Sequence, residues 1–307
     1  MRYRNLVLFV ALAVAWGSAF TAIKAGLEFF PPVLFAAFRY DAAGVLMLAY
    51  AAYTTNQWRP KSRQEWYLVG VGGFLLIAAY HAFLFVGEQG TTSAAAAIIV
   101  SLSPVLTTGF ARGLLPDERL TALGIAGLLL GFAGVVVLSN PNPDNLVTTS
   151  TVSQLFVFLA AASFALGSVL MRRIDADLPI ETMEAWSMLL GALLMHVVSI
   201  VLGESLAEVN WTADAVLALG YLVVVASALG FLVYFDLLAR LGPIEINFVS
   251  YAAPVVAAVT GFVFLQETPS VFTVAGFALI VSGFGLLKRD ALREEVVSLR
   301  RAFGRRE

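Results

Sequence analysis

Ten apolar stretches, each about long enough to cross a lipid bilayer, follow one another along this 307-residue chain and divide into two sets of five. Five is odd. A second copy of a five-span unit must enter the bilayer from the side opposite to the first. That is the arrangement in which many secondary transporters hold their substrate near the midplane, between inverted halves. A spanning helix needs about 20 mostly apolar residues at a rise of ~1.5 Å each. Segments that meet this run over 6–23, 33–53, 66–87, 91–111, 120–139, 154–171, 182–202, 213–235, 246–265 and 271–287. Composition leaves little room for a soluble fold. The chain is 60% hydrophobic and 13% charged, whereas soluble domains average roughly 45–50% and about 25%. The expected class is an all-α integral membrane protein with ten transmembrane helices as two inverted five-helix repeats.

Charge sets the expected orientation. Placing the N-terminus in the cytoplasm puts seventeen of the nineteen Lys and Arg residues inside, leaving Lys24 outside and Arg39 within a span. Positive charge stays on the side from which helices insert, so both termini are expected on the cytoplasmic side of a plasma (inner) membrane. Residues 1–20 imitate a cleavable leader ending at Ala13-Val14-Ala15, but the apolar run continues to Ile23 and its loss would break the repeat. The longest polar connection, residues 140–153, is rich in Asn, Pro and Asp and reads as the linker between halves. Residues 288–307 space Leu292, Val296, Leu299 and Phe303 helically among Arg and Glu, as a cytoplasmic basic amphipathic tail on the inner leaflet would.

The two sets are copies. Residues 118–138 align without gaps on 267–287, matching Glu118 with Glu267, Gly127 with Gly276 and Gly134 with Gly283. Ala15-Trp16-Gly17-Ser18 pairs with Ala165-Leu166-Gly167-Ser168, and Pro104 with Pro254. Pro32 and Gly44 pair with Pro179 and Gly191. The units are 6–139 and 154–287. With Trp16-Gly17-Ser18 in the first helix, Pro32 followed by Arg39 in the second, and a proline-containing small-residue helix leading to Leu115–Glu118 or Leu265–Glu267, they resemble two EamA-type domains. That domain belongs to the drug/metabolite transporter superfamily. The resemblance implies a transporter, and it places the family's arginine at Arg39. It leaves the cargo open, because that superfamily moves amino acids, toxic metabolites, sugars and lipid-linked molecules.

Few residues carry chemistry. Arg39 and Asp41 sit about 10 and 13 Å below the outer boundary of a ~30 Å core. A charge there costs roughly 2.5–3.5 kcal/mol, so each must face a cavity or a partner. Arg39 suits the carboxylate of a substrate and Asp41 a proton or an amine; tying neighbouring helices together is the other reading of both. Trp16 and Ser18 form a polar notch beside Gly17. Tyr80, His81, Tyr234 and Tyr251 pair an aromatic face with a polar atom, as organic cargo needs, and Trp186 occupies the repeat position of Arg39. Pro104 and Pro254 interrupt equivalent helices and are candidate hinges. Glu118 and Glu267 each open a helix, where a carboxylate complements the dipole. Glu184 is expected near the inner boundary. Gly124, Gly127, Gly131 and Gly134 permit tight packing within the bundle or in a homodimer.

No cysteine is present, and His81 and His196 have no metal-site spacing, so no metal or cofactor is expected. No nucleotide-binding GxxxxGK[ST] and no paired intramembrane catalytic groups occur, which argues against an ATPase or an enzyme. Basic residues form no nucleic-acid groove. The expected function is secondary-active or facilitative transport by alternating access, exporting small organic metabolites such as amino acids, with lipid and cargo as partners and protons as a candidate. A flippase for a lipid-linked sugar or other amphiphile is the alternative.

Overall fold

The computed structural model describes residues 2–115, 122–140, 148–241, 246, 248–287 and 289. Eight helices are long and apolar enough to cross a membrane. They are α1 (Arg2–Gly26), α2 (Pro32–Thr54), α3 (Arg63–Glu88), α4 (Ser93–Leu114), α5 (Ala122–Ser139), α6 (Thr149–Met171), α7 (Ile180–Leu202) and α8 (Ala213–Leu238). Two apolar helices of 17 residues follow, α9 (Val249–Leu265) and α10 (Val271–Leu287). No strand occurs among the described residues. The linker residues 141–147, Glu118 and the tail beyond Arg289 lie outside the described residues.

Side chains that accept from the first free N–H groups fix several helix starts. Ser62 and Glu65 form a reciprocal box at α3, while Thr92, Thr148 and Thr212 cap α4, α6 and α8. Two starts are capped from the other half of the chain. The Glu204 carboxylate accepts from Val33 N–H and Leu34 N–H at 3.0 and 2.8 Å, where Pro31 and Pro32 leave α2 without a capping side chain of its own. Glu267 accepts from Ser93 N–H at 2.9 Å. Its cap therefore serves α4, not the helix it was expected to open.

Helix pairing follows the duplication. Packing joins α1 to α9 and α4 to α6, α3 to α7 and α2 to α8, α2 to α7, and α5 to α10. Exchanging the halves converts each of these pairs into another of the set or into itself. In α5 and α10, a Cβ built on Gly127 would lie 2.6 Å from the Gly283 carbonyl oxygen, and one on Gly134 would lie 2.7 Å from that of Gly276. Reciprocal contacts hold for Gly276 and Gly283. The pairing runs 127 with 283 and 134 with 276, so the two helices cross antiparallel. Both helices are apolar all round, with Leu129, Val136 and Val274 exposed, as a lipid-facing surface requires. The glycines packed inside this crossing are thus spent within one chain.

The paired prolines differ. α4 is interrupted by a turn at Ser101–Leu102, and Pro104 stands at the start of the second piece. Ser101 and Ser103 hydroxyls donate to the carbonyls of Ile98 and Val100, re-satisfying the broken turn. Pro254 instead lies inside continuous α9.

Candidate functional site

A feature without a sequence signal organises the polar interior. The middle of α3, Gly72–Ala79, and the middle of α8, Tyr221–Leu229, are wound as π-helix. The segments occupy equivalent places in the two halves. Wider winding displaces carbonyls from the regular ladder, and such turns gather at functional sites. Here side chains take up the displaced groups. Ser163 on α6 donates to the Leu75 carbonyl at 2.8 Å, and Trp16 Nε1 on α1 donates to the Ala226 carbonyl at 3.1 Å. Helices α1 and α6 are repeat equivalents, so each half braces the π segment of the other.

Arg39 points onto this junction. It is 6% exposed, and its Nε donates to Ser227 Oγ within the α8 π segment at 3.1 Å. The guanidinium carbon lies 5.1 Å from the Tyr40 ring centre. No other hydrogen bond and no ion pair engages the guanidinium among the described residues, which leaves its terminal N–H groups available. Tyr40 and His81 connect the second segment. His81 Nδ1 lies 2.9 Å from the Ile77 carbonyl, which only accepts, so this nitrogen carries the hydrogen. His81 Nε2 then accepts from the Tyr40 hydroxyl at 2.6 Å. Both rings are buried.

Other expected residues gather here. Ser18 Oγ lies 2.5 Å from the hydroxyl of Tyr221, the first residue of the α8 π segment. Trp16 packs against Phe231 and Tyr234 at 5.9 and 5.4 Å between ring centres. Tyr80 meets the His81 ring edge-on at 4.5 Å. Tyr40, Tyr221, Ser227 and Glu184 join them without having been singled out as site residues. Glu184 stands within electrostatic reach of Tyr40 and Tyr234 and makes no hydrogen bond or ion pair among the described residues. Glu184 lies in the second turn of α7, at the end that the segment before α3 covers. That segment crosses over the start of α7, where Thr182 and Trp186 donate to the carbonyls of Gln57 and Trp58.

Three expected residues lie elsewhere. Asp41 turns away from Arg39 and pairs with His196 at 2.7 Å, with its side chain 47% exposed. Trp186 stacks edgewise on Trp66 and is held by the Trp58 carbonyl. Tyr251 packs against Phe284, its hydroxyl buried without a partner. No cluster of metal-ligating side chains occurs among the described residues.

The family model of EamA-like transporters matches residues 4–140 and again residues 151–288. The chain belongs to the EamA-like transporter family. It is 30% identical over 267 residues to YedA, an uncharacterized inner membrane transporter of Escherichia coli K12, a match covering 85% of this chain and 84% of that one. It is 27% identical over 296 residues to YvbV, an uncharacterized transporter of Bacillus subtilis, covering 96% and 95%. A crystal structure of a protein 24% identical has a TM-score of 0.61 over 94% of this chain and 98% of its own, and so shares the fold. This EamA-family chain is a multi-pass membrane protein of transport, and each of its halves carries one π segment of the polar junction.

Proposed function

We propose that the protein is a ten-helix, inverted-repeat transporter that moves small organic metabolites such as amino acids out of the cell by alternating access. The observation that carries the reading is Arg39. It is a buried cation inside the bundle, fixed through one nitrogen to the α8 π segment, with its terminal donors uncommitted. Guanidinium forks match carboxylates, so the free edge suits the carboxylate of a cargo. Glu184, near the start of α7, supplies an opposite charge further along the same helix pair, which suits an amine met at a later step of the passage rather than while the carboxylate is held at Arg39. One cation inside the spans fits a carboxylate better than a polyphosphate, which would ask for several.

The antiparallel crossing of α5 with α10 supports inversion, because repeat-equivalent helices running in opposite directions are what an odd-span duplication produces. The distribution of Lys and Arg supports cytoplasmic termini in the plasma membrane. Under that orientation the ends of α1 and α3 face outward. Rocking of the halves around the π junction would expose Arg39 to each side in turn, with the interrupted α4 and Pro254 in α9 as the bending points.

Uptake of labelled amino acids into proteoliposomes, with and without an imposed pH gradient, tests the reading. Uptake that saturates and exceeds that of protein-free vesicles is expected. Absence of uptake for every zwitterion, with uptake of lipid-linked sugars in its place, would turn the assignment to a flippase.

A further inference from the structure

The end of the bundle where α1 and α3 finish and α4 begins holds a carboxylate for which the cargo reading has no use. Glu88 is the last residue of α3 and is 0% exposed, and neither of its carboxylate oxygens has a hydrogen-bond partner. The junction around it is tight. From α1, Lys24 Nζ donates to the backbone carbonyls of Glu88 and Gln89, at 2.8 and 2.9 Å. At the start of α4, Ser93 is fully buried and its hydroxyl also lacks a partner. From α6, the Ser153 carbonyl would lie 2.6 Å from a Cβ on Gly87, and Ser153 Oγ would collide with a Cβ on Gly90. The charged groups within electrostatic reach of Glu88 are Lys24 on α1, Arg39 on α2 and Glu267 after α9, and Tyr80 of α3 lies within reach as well.

Nothing in this closed junction compensates an ionised Glu88 as water would. Lys24 directs two of its donors to the helix end, where a cation complements the last carbonyls, and Glu267 opposes a second negative charge. A buried charge without hydrogen bonds is poorly held, whereas the neutral acid loses far less on burial. Parting of α1, α4 and α6 at this end would admit water and hold the anion well. The two arrangements thus bind a proton unequally, and the proton must favour the one that binds it better.

We propose that Glu88 is a proton-binding site, and that the proton it takes up latches this end of the bundle closed. The carboxylate takes the proton from the adjoining aqueous phase, forming one O–H bond and losing its charge. Opening of the end hydrates the group and returns the proton to the same phase. The proposal rests on the transporter reading only in treating the opening of this end as a step of the cycle. It moves the proton site from Asp41, which is half exposed and engaged by His196.

The chain contains no cysteine, so one introduced thiol reports access without a background. Thr91→Cys lies beside Glu88 at a buried position, and Glu28→Cys, an exposed position near the same end, serves as the reference for intrinsic thiol reactivity. A membrane-impermeant maleimide is applied to the full chain in proteoliposomes, in sodium-free buffers from about pH 5.5 to about pH 8.5. With Glu88 intact, labelling of Thr91→Cys relative to the reference is expected to rise about tenfold across this range. In Glu88→Gln, neutral at every pH, it stays low and flat, and in Glu88→Asp the rise returns.

A rise that persists unchanged in Glu88→Gln overturns the latch. So does flat labelling with Glu88 intact, or a response to added sodium chloride in place of the response to pH. Should labelling fail to follow Glu88 while amino-acid uptake persists, the latch falls and the cargo reading stands. Labelling that follows Glu88 in a protein taking up no amino acid leaves the latch standing and removes the cargo reading.

Discussion

Two helix pairs each join a helix to its own repeat equivalent, and they are built on opposite principles. Between α5 and α10, glycine meets glycine, backbone meets backbone, and no charged side chain is present among the described residues of either helix. Between α2 and α7, which also cross antiparallel through Thr55 with Thr182 and Asp41 with His196, the pair carries Arg39, Asp41, Glu184 and His196. The first crossing has one good arrangement, because adding even a methyl to it strikes a carbonyl. The second carries polar groups: Arg39 reaches across to α8, Asp41 pairs with His196, and Glu184 makes no hydrogen bond among the described residues. The two crossings divide the interior: α5 with α10 packs backbone on backbone, while α2 with α7 and the two π segments hold the polar groups.

The largest expected effect comes from breaking the first crossing. Gly134→Leu drives a side chain into the Gly276 carbonyl and Ile280, and overpacking of this kind costs about 1–3 kcal/mol, occasionally more. Its thermal unfolding in detergent should begin well below that of the parent, and unchanged unfolding would show that the crossing is loose. Arg39→Lys should leave unfolding in place while weakening transport about tenfold, since the charge survives and the planar fork does not. Full activity in this variant would mean that the free edge of Arg39 touches no cargo. Glu184→Gln is expected to slow an amine-bearing cargo by a few-fold, on the order of 1 kcal/mol, and to spare a simple carboxylate. Equal slowing of both would remove the amine assignment. Smallest is Trp186→Phe, which loses the bond to the Trp58 carbonyl and should cost about 0.5–1.5 kcal/mol of stability with no change in cargo affinity. A change in affinity would bring Trp186 back into the site.

Hydropathy makes the apolar segments legible because lipid demands long apolar helices whatever the tertiary arrangement. Glycine spacing likewise marked the α5 and α10 faces before any contact was visible. The π segments left no mark. One extra residue in a turn alters neither composition nor average periodicity enough to show in Gly72–Ala79 or Tyr221–Leu229. Without them, Ser227 and Tyr221 read as ordinary span residues, although both end up bonded to residues picked from sequence, Arg39 and Ser18. Glu88 escaped for a related reason. The apolar window closes at residue 87, so the next carboxylate reads as the start of a loop, and only the approach of α1, α4 and α6 buries it. Trp186 shows the reverse case. Repeat register put it opposite Arg39, but register fixes a position along the helix, and the loop at Trp58 decides where the indole goes.

If Arg39 at the π junction holds the cargo, as proposed, the cargo should stabilise the purified protein against thermal unfolding through that residue. A ligand present at about 100 times its dissociation constant stabilises the folded state by about 2.7 kcal/mol. The parent chain should show a clear upward shift in thermal unfolding with the amino acid it transports. Arg39→Ala, compared with its own unliganded form, should show no shift at that concentration. An Arg39→Ala protein stabilised as strongly as the parent would contradict the account and place the cargo elsewhere in the bundle.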